Sequence, residues 1–262
     1  MIETLRNYIV TYASDIRSVP SNISPCVQMI YRINESGMLQ RVPGYSAPMR
    51  SIMGITDDSG LQKCDPDRLC RDIISELSRR NYAGVVLDIK FGMADLDKTE
   101  KLCSSLSQRK ITYFLPVELA QLSQDAKIIG PSSVSGGGIT QLLNMVTEKY
   151  PPDRICLELV RSCNDFEMPA YKPDGNPLTK ERLDELMSIY SAQGFFSSEL
   201  GCKYFTYRDD GKVHFVLYDD AQTALFKIQT AQSARLYGVF LLYSEWYDSI
   251  NQIFGRSKKE FA

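Results

Sequence analysis

The residues of this chain best placed to do chemistry are carboxylates at the ends of apolar runs. YAGVVLDIKF (82–91) carries Asp88 and, two residues on, Lys90. ITYFLPVEL (111–119) ends beside Glu118, and YGVFLLYSEW (237–246) brings Glu245 to the end of the last apolar run. RICLELV (154–160) holds Glu158. Two carboxylates facing one substrate can divide acid and base roles between them. Glu118 and Glu245 are therefore candidate partners for Asp88. Asp88 and Lys90 lie two apart on one strand and so share a face. Glu158 is expected to pair with Lys90 or Arg161 in the interior.

Other chemistries find less material. The single histidine, His214, sits inside GKVHFVLY and reads as a strand residue, which leaves no Ser-His-Asp or Cys-His arrangement and no metal centre. The seven cysteines are odd in number and none is in CxxC spacing, the pattern of reduced, buried thiols. DDSG and YRDDG read as turns. GPSSVSGGGIT precedes a helix but has no lysine at the P-loop position, so it reads as a loop, and no cofactor is expected.

Alternating strands and helices must position these groups. Apolar strand runs are expected at 7–13, 26–34, 48–55, 82–91, 111–119, 126–133, 154–160 and 237–246. Between them lie helical patterns such as DRLCRDIISELSRRN, with Leu69, Ile73, Ile74 and Leu77 on one face and Asp65 or Asp67 as a cap. LTKERLDELMSIYSAQ (178–193) and AQTALFKIQTAQSARLY are further helices. KYFTYRDDGKVHFVLYDD (203–220) reads as a hairpin about Asp-Asp-Gly. NDFEMPAYKPDGNP (164–177) reads as a long βα loop. Alternation of this kind implies parallel β/α units, and no linker divides them: the expectation is one (β/α)8 TIM-type barrel domain over residues 1–262.

The C-terminal half resembles the closing part of a glycoside hydrolase family 18 barrel. In that family a strand ending in Tyr-Asp/Glu-Asp leads into a helix that carries a lysine, and the final strand starts at a glycine and ends near an aromatic floor. Tyr218, Asp219, Asp220, Lys227, Gly238 and Tyr243 stand at those places. The family signature, Asp-Gly-x-Asp-x-Asp-x-Glu on the fourth strand, aligns on Gly84. Asp88 then keeps the last aspartate, Val86 replaces the middle one, and Lys90 stands where the proton-donating glutamate belongs. Shifting the frame to match Phe91 puts Gly92 there instead. The family's sixth strand commonly ends in Met-x-Tyr-Asp, and in that region LELVRSCND has Val160, Arg161 and Ser162. A lysine ammonium, with an ordinary pKa near 10.4, does not take over the acid's role.

The resemblance thus implies a catalytically inactive barrel that binds an N-acetylhexosamine-containing glycan through Asp88, Lys90, Arg161, Tyr218, Tyr243 and Trp246. The cationic side chains would admit an acidic sugar such as muramic acid. An active glycosidase with a relocated acid, Glu118 or Glu245, and an assembly protein with a closed cleft are the alternatives. The net charge of −2, from 30 basic and 32 acidic residues, argues against a nucleic-acid face. No apolar run reaches the roughly 20 residues of a membrane span. The opening residues lack the basic-then-apolar pattern of a signal peptide, so a cytoplasmic protein is expected. Family members with spore roles suggest assembly into a bacterial spore layer.

Overall fold

The computed structural model describes residues 5–20, 26–45, 51–57, 61–89, 95–132, 138–170, 172 and 174–254. Lys90, Phe91 and Gly92 lie outside them, as do residues 133–137 of GPSSVSGGGIT. The chain forms two compact units. The first comprises residues 1–130, 150–158 and 235–244, and the second residues 131–149, 159–234 and 245–262.

The first unit is built on strands β1 (Arg6–Tyr12), β2 (Cys26–Ile33), β3 (Leu39–Arg41), β4 (Ile52–Asp57), β5 (Val85–Asp88), β6 (Tyr113–Pro116), β7 (Lys127–Pro131), β8 (Ile155–Glu158) and β14 (Gly238–Leu242). Their order is β1-β14-β8-β7-β6-β5-β4-β2-β3, and β1 also pairs with β2. Eight parallel strands therefore close on themselves, with β3 as an antiparallel extension of β2. This is the expected (β/α)8 barrel, and β5 is its fourth strand.

Alternation of side chains sorts each strand into an inner and an outer face. Val85, Leu87 and Ile89 point outward and share a core with Leu69, Ile73 and Leu77 of α1 (Pro66–Arg80) and with Leu102, Cys103 and Leu106 of α2 (Leu96–Gln108). Tyr8, Val27, Met29, Ile52, Val86, Phe114, Cys156 and Phe240 form a separate cluster that fills the barrel interior. The Asp65 carboxylate caps α1 by accepting from the amides of Asp67 and Arg68, and Asp95 caps α2 through the Lys98 amide. Asn81 ends α1 in the left-handed conformation, φ 56°. At Gly84, a Cβ would stand 2.6 Å from the Thr112 carbonyl oxygen, so the glycine lets β5 and β6 approach.

The second unit contains a five-stranded antiparallel sheet of β9 (Cys163–Met168), β10 (Asn176–Pro177), β11 (Phe195–Ser197), β12 (Cys202–Asp209) and β13 (Lys212–Tyr218), ordered β10-β9-β13-β12-β11. Its helices are α3 (Ile139–Lys149), α4 (Lys180–Ile189), α5 (Ala221–Ser233), α6 (Tyr243–Trp246) and α7 (Ile250–Phe254), of which α6 begins in the first unit. Phe205, Tyr207, Val216 and Tyr218 pack against Leu183 and Leu186 of α4.

Three points of the sequence reading are refined here. Residues 164–177 are not a plain loop, because β9 and β10 pair along them. The hairpin expected over 203–220 is present as β12 and β13, but its strand ending at Tyr218 belongs to this second sheet and not, as the resemblance implied, to the closing part of the barrel. Its half-buried alternation, rather than a continuous apolar run, is the pattern of a sheet with one covered face. The count along the barrel shifts too. Its sixth strand is β7, so Val160, Arg161 and Ser162 follow the seventh strand.

Candidate functional site

In a (β/α)8 barrel the C-terminal strand ends form the mouth that carries function. The inner-face positions decide what the mouth presents. On β5, Val86 is an interior core residue, so Asp88 at the strand end faces the same side. On β8, Cys156 is interior, and Glu158 is paired with the interior Phe240. On β1, Tyr8 and Val10 face inward, and Tyr12 at the end follows them. Three strands thus place Tyr12, Asp88 and Glu158 on the inner side of one barrel end.

Electrostatics ties the three together. Burial raises the Tyr12 hydroxyl above its ordinary range, and the negative charges of Asp88 and Glu158 raise it further. Even so, Tyr12 keeps 40% of its surface exposed. Tyr12 and Glu158 were not assigned to the site from sequence. The usable signal was parity: both lie an even number of residues beyond an interior residue and at the end of a strand.

The other expected residues fall elsewhere. Tyr243 starts α6 and donates its hydroxyl to the Ser18 carbonyl at 2.7 Å, which fastens the loop after β1. Glu118 is exposed in a short 3-10 turn after β6. Within the second unit, Arg161 is engaged on all sides. Its guanidinium donates to Asp248 at 2.7 and 3.2 Å and to the Glu245 carbonyl at 2.7 Å. It also lies 5.2 Å from the centre of the Trp246 ring. The Glu245 carboxylate accepts the Arg161 amide at 3.0 Å. Burial alone would raise the Asp248 carboxyl, but the Arg161 hydrogen bonds and charge hold it below its ordinary value.

Trp246 exposes none of its surface and donates its indole N–H to the Leu159 carbonyl at 2.9 Å. It is a core residue here, not an open stacking floor. Tyr218 is also buried, at 8%, with its hydroxyl against Gly194. Glu245 and Arg161 form a structural clamp, which takes the place of the roles expected of them as acid and as ligand cation.

Asp219 and Lys227 make a buried ion pair at 2.8 Å, and the same carboxylate accepts the Ser162 amide at 2.8 Å. Asp220 caps α5 in a reciprocal box with Thr223. His214 is a strand residue whose Nδ1 lies 3.0 Å from the Asp165 carboxylate, while its ring stacks on Tyr207 at 4.5 Å. Burial pushes the Cys202 thiol up to about 11 and the Cys103 thiol up to about 12, so neither supplies a thiolate near neutrality. Among the described residues no group of three or more His, Cys, Asp or Glu could hold a metal ion. No described helix is long and apolar enough to cross a membrane.

No family model matches the sequence, and no curated protein matches it. Solved structures do. The spore cortex-lytic enzyme SleL of Bacillus megaterium superposes with a TM-score of 0.62 at 13% identity, over 94% of this chain and 73% of that one. A sporulation-specific glycosylase, ydhD, from Bacillus subtilis gives 0.59 at 15% identity, over 81% and 88%. A mutant class V chitinase from Nicotiana tobaccum, in complex with NAG4, gives 0.66 at 11% identity, over 97% and 100%. Identities this low speak to fold. On fold, the chain is similar to the TIM barrels of glycoside hydrolase family 18 chitinases and spore glycosylases.

Proposed function

We propose that this chain binds an N-acetylhexosamine-containing glycan at the barrel mouth and does not cleave it. The observation that carries the reading is the composition of the fourth strand. Asp88 remains on the inner face, the preceding inner position is the core residue Val86, and two residues further along the sequence stands Lys90, where the signature it resembles has an acid. A carboxylate that orients an acetamido group is therefore kept, while the group that would protonate the leaving oxygen is replaced by an ammonium. Structures of this fold in complex with NAG4 or (GlcNAc)4 support the ligand class. The spore enzymes among the similar structures support a role at a bacterial spore.

A second reading, an active glycosidase with a relocated acid, is favoured by one observation: Glu158 shares the inner face with Asp88. It is a better candidate than Glu245, whose carboxylate is held by a backbone amide, or than Glu118 on its exposed turn. Titration of the protein with N-acetylglucosamine oligomers, followed by product analysis, separates the two. Heat with intact oligomer supports the binding reading. Shortened products that disappear in Glu158→Gln support the second.

A further inference from the structure

The geometry points to a second ligand site, at the end of the barrel opposite Asp88, for a small organic anion: a phosphate or carboxylate on an apolar body. It stands independently of the glycan-binding reading. A cleft of about 490 Å³ opens where α1 and α2 end and β5 and β6 begin. That volume falls within the roughly 300–1,000 Å³ of small-molecule sites. Every residue that lines it belongs to the first unit.

The lining divides by chemistry. Leu77, Tyr82 and Ile111, buried or half-buried, give the cleft an apolar side. Arg109 and Lys110 give it two exposed cations, and none of the lining residues is acidic. Neither cation is spent on an ion pair among the described residues. Arg109 donates to the Ser105 carbonyl at 3.1 Å, which leaves most of its guanidinium N–H groups available. The carboxyl ends of α1 and α2 point to this side and oppose an anion. Each carries roughly half a negative charge, so two whole positive charges outweigh them. On the last turn of α1, Arg79 and Arg80 share the one carboxylate of Glu76, so that turn adds no surplus acid.

The backbone adds a second sign. Asn81 and Lys110 follow the two helices in the left-handed conformation, at φ 56° and 55°. Asparagine is a common residue there, but lysine is not, and glycine is the usual one. Lys110 thus holds its ammonium beside the cleft at a cost in backbone strain that glycine would avoid. An anion with an apolar body matches both halves of the lining: its charge meets Arg109 and Lys110, and its body covers Leu77, Tyr82 and Ile111. A free inorganic anion would use only the first half, and a neutral apolar molecule only the second.

The test is titration of isotopically labelled protein, followed by amide resonances, with four probes: phenyl phosphate, benzoate, inorganic phosphate and phenol. Phenyl phosphate or benzoate should move the amides of Ala83 and Gly84 in a saturable way, and the tighter of the two identifies the anionic group. Inorganic phosphate and phenol should bind at least about fivefold more weakly, the upper range of one exposed charge contact. Lys110→Gly suits the left-handed backbone, so it should melt at or above the parent temperature and yet bind the anionic probe about threefold more weakly. Arg109→Gln added to it should weaken binding further. Phenol binding as tightly as phenyl phosphate overturns the inference. So do shifts that map away from the cleft, an affinity unchanged in the folded double variant, and an absence of shifts with both organic anions.

Discussion

Asp88 is the residue on which the binding reading turns. Its replacement by alanine should weaken glycan binding by about 1.5–3 kcal/mol, the range of a hydrogen bond to a charged group. Calorimetry of the variant checks this, and a change of less than twofold would remove Asp88 from the site. Arg161 should behave in the opposite manner. Arg161→Ala strands Asp248 and removes the cation beside Trp246, so it should lower stability by about 1–3 kcal/mol. The loss appears in thermal melting, with glycan affinity per folded molecule retained. Asp88 was legible in the sequence because it ends a continuous apolar run. Arg161 was misread because its partners, Glu245 and Asp248, are more than eighty residues away. Nothing local announces such a clamp.

At the scale of elements, β5 and α5 show two ways in which the sequence positions a charge. β5 carries Asp88 to the strand end by alternation, and Gly84 lets the strand settle against β6. Gly84→Ala would force Cβ against the Thr112 carbonyl, and about 1–3 kcal/mol of destabilisation is expected from the overpacking. Denaturant unfolding measures it, with the Gly84→Ser variant expected to lose at least as much. α5 holds Lys227 under Asp219 with almost no exposure of either side chain. Lys227→Met should cost about 3–5 kcal/mol by leaving the carboxylate buried and uncompensated, and replacing both residues by apolar ones should recover much of it. The barrel strands were readable because parallel strands covered on both faces are continuous apolar runs. The second sheet was read only in part. The β12–β13 hairpin has its Asp-Gly turn, but β9 reads CNDFEM, polar enough to pass for a loop. Its pairing with β13 depends on residues some fifty positions away.

Across the whole molecule, buried tyrosines and cysteines shape the response to alkali. Burial raises the hydroxyls of Tyr8, Tyr12, Tyr31, Tyr82, Tyr113, Tyr207 and Tyr218 above the ordinary value of 10.0. Above that value the unfolded chain loses these protons while the folded chain keeps them. Their contribution to stability is therefore complete below pH 10 and declines as pH rises beyond it. The buried thiols, raised above their ordinary 9.0, act in the same sense, so melting followed from neutrality into alkali should show a fall that begins near pH 9 and steepens beyond 10. A flat profile to the alkaline limit would mean that these hydroxyls are not buried as described. The fold as a whole was legible from alternation and length. The set of residues that meet at the mouth was not, because it depends on which strand-end residues face inward, and that is a matter of register between strands far apart in sequence.

The central question is whether the mouth binds a glycan and leaves it whole. Calorimetric titration with N-acetylglucosamine oligomers, with the contents of the cell then analysed for chain length, tests both halves at once. Saturable heat with oligomers of unchanged length is the expected result. Shortened oligomers would contradict it and make the chain an enzyme whose acid, with Glu158 first in line, was displaced along the barrel.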